Sequence, residues 1–317
     1  MNNRKQSLML RETLDIPAQV DMCVHSPLPV LPIRPGRVYT LGRGSSDHAA
    51  LVVHHLLGRA GVPSTGLALS LVGETIDIAD SLYLLISQSG ASPDMCDAAR
   101  KIRSAGCSVL SLVNHDNSRL SEESNFSISQ YAGDEIAVAA TKSVICSILA
   151  GAKLAEHWGA TPLDLESFAG QVEKLKSVSV RALADLFVGT SPILVVGRGS
   201  GYGIACEIAL KLQELLGRPA MAYSSSEVLH GPAGMVQTDY PVLALAVGPE
   251  RSDVLGSVEK LRTMGAKCQV LETSQRHDAL AATLMLCHVY VALEAACQSM
   301  GLSPDKPRNL NKVTLTE

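Results

Sequence analysis

Residues 37–47, RVYTLGRGSSD, and residues 192–202, PILVVGRGSGY, carry one pattern at two places in the same chain. In each, a short apolar run enters Gly-Arg-Gly-Ser, and a stretch of helical periodicity leaves it. Short apolar runs that stop at glycine read as strands, and the segments after them, 45–60 and 201–216, read as helices. Gly42 and Gly197 stand 155 positions apart (197 less 42), about the size of one α/β domain. Glycine and serine are common at strand-to-helix turns, so the tetrapeptide alone proves little. The order that follows repeats as well: polar loop, strand, helix, strand. That repetition argues for an internal duplication.

Working outward, the apolar pattern predicts strands at 37–42, 81–87, 107–113, 125–130, 192–197, 241–248 and 267–272. It predicts helices at 45–60, 92–104, 140–157, 164–187, 201–216, 251–264 and 281–300. Strands alternating with helices imply an α/β chain of two tandem, doubly wound parallel-sheet subdomains, each covered by helices on both faces. The boundaries follow as an N-terminal helical segment 1–30, a first subdomain 31–160, a bridging helix 161–187, a second subdomain 188–300 and a C-terminal tail 301–317.

Composition narrows the function. The chain has 317 residues, 46% hydrophobic but only 3% aromatic, and a formal net charge of -4. Its core must be Ala, Val, Leu and Ile, which suits buried parallel strands under Ala/Leu-rich helices. No basic block or aromatic-basic interleaving is present, which argues against nucleic acid as a partner. Eight cysteines form no C-x-x-C pair and sit among apolar or small residues, so free buried thiols in a reducing compartment are expected. The opening residues lack a signal-peptide core, and no uninterrupted apolar run is long enough to span a bilayer. A cytoplasmic protein with no membrane partner is the expectation.

Three stretches carry chemistry. Neither GRGS copy completes the dinucleotide fingerprint G-x-G-x-x-G, because Asp47 and Tyr202 fill its last position. "LLISQSGASPD" (84–94) is more telling: Ser87, Gln88, Ser89 and Ser92 crowd the end of an apolar strand around Gly90. Small hydroxyls with unpaired N–H groups at a helix start suit a phosphomonoester, although Ser89 or Ser92 could equally serve as a helix cap. The second repeat has "LALAVGPERSD" (243–253) there, without the hydroxyl cluster. Next, "EIALKLQELLGRPAMAYSSSEVLHGP" (207–232) sets Glu207, Lys211 and Glu214 on one helical face, with His230 in a polar loop beyond. That spacing fits proton transfer on a sugar phosphate, and it fits an exposed ion pair beside a solvated histidine. Finally, the tail "DKPRNLNKVTLTE" (305–317) carries Lys312, by itself an ordinary surface lysine, and an apolar "VTL" unlike disorder.

Taken together, "MLRETLDIPAQV" (9–20), "ISQSGASPD" (86–94), "GDEIAVAATKS" (133–143), "EIALKLQE" (207–214), "LHGP" (229–232) and "PRNLNK" (307–312) resemble the sugar isomerase (SIS) domain family. The likeness is to the isomerase half of glutamine:fructose-6-phosphate amidotransferases, over nearly the whole chain. It implies flavodoxin-like subdomains and no metal or organic cofactor. It implies phosphate on Ser46, Ser87, Gln88, Ser89 and Ser92, with Ser45 near the reacting carbons. Glu214 then matches the carboxylate moving a proton between C1 and C2, and His230 the histidine that opens the ring, donated across a homodimer. Lys211 matches a lysine that steadies the intermediate, Glu207 its acidic neighbour, and Lys312 a Schiff-base lysine. The chain opens MNNRKQ with no room for a glutaminase domain. It therefore resembles the SIS type of glucosamine-6-phosphate deaminase, an isomerising enzyme that yields fructose 6-phosphate and ammonia. Another amino-sugar phosphate isomerase, deaminase or deglycase, or a phosphosugar sensor without catalysis, is the alternative. Ala91 and Ala140 depart from residues common in the synthase.

Overall fold

The computed structural model describes residues 6–312 apart from Thr75, Ile78, Ala79 and Val178. Two compact units emerge. One comprises residues 18–135 and 142–166; the other comprises 6–17, 136–141 and 167–312. The chain opens with helices α1 (Leu8–Leu14) and α2 (Ile16–His25). Ser7 caps α1, its side chain accepting a hydrogen bond from the Leu10 N–H at 2.9 Å.

The first repeat runs β1 (Arg37–Leu41), α3 (Ser45–Arg59), β2 (Ser64–Gly66), β3 (Ser81–Ser87), α4 (Pro93–Ser104), β4 (Ser108–Val113), α5 (Arg119–Glu122), β5 (Phe126–Ser129) and α6 (Lys142–His157). Its strands form one parallel sheet in the order β2-β1-β3-β4-β5. β3 is buried at every position after Ser81, as a near-continuous apolar run in the middle of a parallel sheet must be. On one face Leu41, Tyr83 and Leu85 pack on Met95, Ala99 and Ile102 of α4. On the other, α3 and α6 lie together.

The second unit continues through α7 (Leu165–Val172), α8 (Arg181–Phe187), β6 (Ile193–Gly197), α9 (Ser200–Leu216), β7 (Ala220–Ser224), β8 (Pro241–Leu245), α10 (Arg251–Thr263), β9 (Lys267–Leu271) and α11 (Asp278–Met300). Its parallel sheet has the order β7-β6-β8-β9, the first four strands of the other sheet over again. In both sheets the chain leaves the first strand for one side and later returns to the other. The switch point therefore lies between β1 and β3 in one unit and between β6 and β8 in the other, where α/β sheets place ligands.

Three expectations change. The helix predicted over 164–187 is broken into α7, a 3₁₀ turn at Glu173–Ser177, and α8. The sequence Ser177-Val178-Ser179-Val180 explains the break: serine and β-branched residues hold a helix poorly. β2 and β7 were not expected, one being three small polar residues at a sheet edge and the other reading as alanine-rich. α11 is long and apolar enough by length and composition to cross a bilayer, although His288 and Glu294 interrupt its apolar run, as the expectation of no uninterrupted span requires. Its most apolar window is 83% buried, and it packs on α8 and α9 as a core helix.

Candidate active site

The loops after β1 and β3 meet at the switch point of the first repeat, since Leu41 pairs with Leu85 in register. Gly44 adopts φ 54° and ψ -127°, a conformation open only to glycine, and this turns the chain into α3. Gly199 repeats it at φ 57° and ψ -132° before α9. The hydrogen bonds correspond too. Ser46 N–H donates to Arg43 O and Asp47 N–H to Gly44 O, as Gly201 N–H does to Arg198 O and Tyr202 N–H to Gly199 O. Arg43 reaches Asp94, the second residue of α4, at 2.7 Å; Arg198 reaches Asp253, the third residue of α10, at 3.4 Å. The sequence motif showed the glycines but not this arginine–aspartate clasp, whose partners are far apart in sequence.

Ser45 and Ser46 begin α3, and Ser87 ends β3. The loop from Gln88 to Ser92 is fastened by its own backbone. Leu120 N–H donates to Gly90 O at 2.8 Å, and Asn114 N–H to Gln88 O at 3.2 Å. Gly90 has φ 58°, and a side chain there would run into Ser118, so only glycine fits. Ser87 Oγ accepts from Gly90 N–H at 3.2 Å and Ser89 Oγ from Ala91 N–H at 3.3 Å. Ser92 stands at the N-cap position of α4, yet its hydroxyl makes no capping bond. The six expected residues Ser45, Ser46, Ser87, Gln88, Ser89 and Ser92 thus flank one strand pair at the start of two helices. Hydroxyls and helix N-termini so placed favour an anion.

In the other unit, Glu207, Lys211 and Glu214 share a face of α9 that points into the protein, which excludes the exposed ion pair their spacing allowed. Lys211 Nζ lies 3.3 Å from Glu207 and 2.6 Å from Glu214. Glu207 and Lys211 are sealed from solvent, whereas the Glu214 side chain keeps 20% exposure. Tyr290 of α11 donates its hydroxyl to Glu207 at 3.4 Å. Burial pulls the Lys211 ammonium down, but the flanking carboxylates outweigh it and hold its pKa above the ordinary value. One cation serves two carboxylates, and only Glu214 is accessible to a reacting molecule.

His230 follows the 3₁₀ turn Glu227–Leu229, is exposed, and lines a cavity with Arg198 and Lys260. Lys312 is half-buried at the end of the described chain. The last five residues, including "VTL", lie outside the described residues, as do Met1–Lys5. Two motif glutamates prove to be braces. Glu12 accepts from Ile136 N–H at 2.5 Å and Ala137 N–H at 3.1 Å, and Glu135 accepts from Ser143 N–H and Oγ at 3.1 and 2.6 Å. All eight cysteines are free thiols, six of them buried.

A family model described as the SIS domain matches residues 33–156 and 187–297. The glutamine–fructose-6-phosphate aminotransferase (isomerizing) of Sulfolobus acidocaldarius is 34% identical over 302 residues, covering 89% of this chain and 50% of that protein. Its namesake from Symbiobacterium thermophilum is 28% identical over 316 residues, covering 89% and 52%. The chain thus spans about half the length of the curated relatives it matches. Among solved structures, a Thermotoga maritima glucosamine-6-phosphate deaminase aligns with a TM-score of 0.86 at 21% identity, covering 98% of this chain and 100% of that one. The C-terminal domain of a Francisella tularensis glucosamine-fructose-6-phosphate aminotransferase aligns with a TM-score of 0.83, also at 21%, covering 97% and 99%. At that identity the likeness is one of fold. With each matched stretch falling on one of the two α/β repeats, the chain belongs to the SIS domain family, as a tandem pair.

Proposed function

We infer that the chain is a phosphosugar isomerase-type enzyme that converts glucosamine 6-phosphate and water to fructose 6-phosphate and ammonia. The observation that carries this reading is the buried Glu207–Lys211–Glu214 set with Glu214 alone accessible. Burying charge is costly and gains little stability by itself, so such a set argues for chemistry. A sensor that only binds its ligand has no need of it.

In this reading the substrate phosphate is held by Ser46, Ser87, Gln88, Ser89 and Ser92. His230 of a second copy in a homodimer moves the proton from O1 to O5 and opens the ring. Glu214 takes the C2 proton, acidified by the neighbouring C1 carbonyl, and the electron pair moves onto the C1 oxygen. Ser45 and Lys211 stabilise that oxygen's charge. Glu214 returns the proton to C1 while an amine proton passes to the C1 oxygen, which leaves a hydroxyl at C1 and an imine at C2. Water adds to the imine and ammonia leaves, either directly or by prior exchange of the imine onto Lys312. One carboxylate serves both carbons because they are adjacent. Free thiols and metabolic relatives support a cytoplasmic setting.

The test is ammonia release from glucosamine 6-phosphate, run beside galactosamine 6-phosphate and fructosamine 6-phosphate. Glu214→Gln is expected to lower kcat by about 10²–10⁴-fold. An unchanged rate removes Glu214 from the mechanism, and faster turnover of another substrate reassigns the sugar. Binding without ammonia release from any of them makes the protein a sensor.

A further inference from the structure

Ser46, Ser87, Gln88, Ser89 and Ser92, read as the phosphate cradle, carry no charge. A phosphate monoester brings a charge of about -1.5 to -2 at neutral pH. The structure sets a further negative charge against it. Asp94 is the second residue of the 12-residue helix α4, two positions beyond Ser92. Its Oδ1 accepts from Met95 N–H at 2.9 Å, which pins the carboxylate to the start of α4. A carboxylate there competes with any other anion drawn to the same helix start. Left bare, it would repel the ligand.

Arg43 meets that carboxylate. It precedes Gly44, the N-cap of α3, and its Nη1 lies 2.7 Å from Asp94 Oδ2. The side chain therefore crosses from the loop after β1 to the start of the helix after β3, and the cradle residues belong to these same two connections. The Arg43 side chain keeps 34% exposure and that of Asp94 31%, so a solute can reach the guanidinium. An ion pair this accessible is weak and rearranges at little cost. A guanidinium carries five N–H donors in a planar fork, enough to hold a carboxylate and a phosphoryl oxygen together.

We propose that Arg43 is the cation of the phosphate cradle, donating to a phosphoryl oxygen of the bound sugar phosphate, and that Asp94 holds it at the mouth and tempers its pull. Arg43 cancels the Asp94 charge that would otherwise face the ligand. Asp94 in turn draws off part of the arginine's charge and keeps affinity below what the arginine alone would give. The proposal rests on the reading of the serine cluster as a phosphate site, and it does not depend on the chemistry assigned to Glu214. A clasp that only fastened two loops together would fail alike whichever partner were removed. A binding cation and its counter-ion differ: loss of the cation weakens the ligand, and loss of the counter-ion strengthens it.

The experiment is calorimetric titration of the full chain with glucitol 6-phosphate, which has no carbonyl to isomerise. Wild type is compared with Arg43→Met, Asp94→Asn and the double variant. Arg43→Met is expected to weaken binding about tenfold or more, the loss of one hydrogen bond to a charged group. Asp94→Asn is expected to tighten it about threefold, and the double variant to fall between the two singles. Any other order overturns the proposal. Weakening by both single variants, in particular, makes the clasp a structural brace. If Arg43→Met does not fold, Asp94→Asn decides alone: tighter binding upholds the proposal, and unchanged or weaker binding overturns it. A wild-type chain that binds no glucitol 6-phosphate removes the phosphate cradle and this proposal with it. A wild-type chain that binds but releases no ammonia from any amino-sugar phosphate sinks the catalytic reading alone, and the expected order of affinities still upholds Arg43.

Discussion

Lys211 is the residue on which the buried charges depend. Two carboxylates lean on it, one of them fully out of solvent. Lys211→Met removes the cation and leaves Glu207 ionised in the core, so urea unfolding should show a loss of about 3–5 kcal/mol. The further change Glu207→Gln should restore part of that loss, because the orphaned charge goes with it. His54 of α3 makes a second prediction. It bonds Thr40 of β1 at 2.8 Å, and burial, with His55 nearby, lowers its pKa to about 4. The unfolded chain titrates this histidine near its ordinary 6.5. Its stabilising contribution is therefore complete above pH 6.5 and is lost as the pH falls towards 4, as the unfolded state takes up a proton the fold refuses. Thermal melts of wild type and His54→Gln should diverge across that window, by about 1–2 kcal/mol for a partly solvated group. Ser87, Gln88, Ser89, Ser92, Glu207, Lys211, Glu214 and His230 drew notice by residue type and spacing, whereas Ser45, Ser46 and Lys312 entered only through the family resemblance. What spacing could not reveal was which way α9 faces. Glu207, Lys211 and Glu214 read equally as a solvated face until Tyr290 and the rest of α11 are seen to cover them.

At the scale of elements, the turn from strand to helix is the unit that was duplicated. Gly44 and Gly199 share a backbone conformation that no residue with a Cβ adopts easily. Gly44→Ala and Gly199→Ala should each cost about 1–3 kcal/mol in stability, read by denaturant melts. Gly44→Ala alone should also weaken binding of fructose 6-phosphate, because Ser46 of the proposed phosphate site stands two residues beyond it. Long elements with one strong period were readable: β3 and β4 fall where their apolar runs do. Elements whose formation depends on their neighbours were not. β2 has three residues, Ser64, Thr65 and Gly66, and is a strand only because β1 offers an edge to pair with. The break between α7 and α8 likewise arises where local propensity is too weak to carry a helix onward.

For the whole molecule, the small number of aromatic residues and the abundance of small apolar ones decide how the interior is built and what it hides. Burial pushes Cys287 and Cys297 up to about 12 and Cys23 up to about 11. Only Cys206 and Cys268 are half-exposed. An aromatic disulfide reagent should thus titrate at most two thiols quickly in the native protein and all eight in guanidinium. Ligand should also be visible globally. If fructose 6-phosphate binds only the folded chain, a hundredfold excess over its Kd should add about 2.7 kcal/mol to the unfolding free energy. The triple change Ser87→Ala, Ser89→Ala and Ser92→Ala should remove most of that gain.

One core element has a consequence for how the protein is made. α11 covers α8 and α9, yet it is translated more than sixty residues after α9 ends at Leu216. At about 5–20 residues per second, the ribosome leaves the partner faces bare for roughly 3–12 seconds. During that interval the nascent chain exposes an apolar groove, and the segment still to come is greasy enough to pass for a membrane span. Synthesis of this protein should therefore lean on holding chaperones, and slow codons placed between residues 217 and 278 should lower its soluble yield.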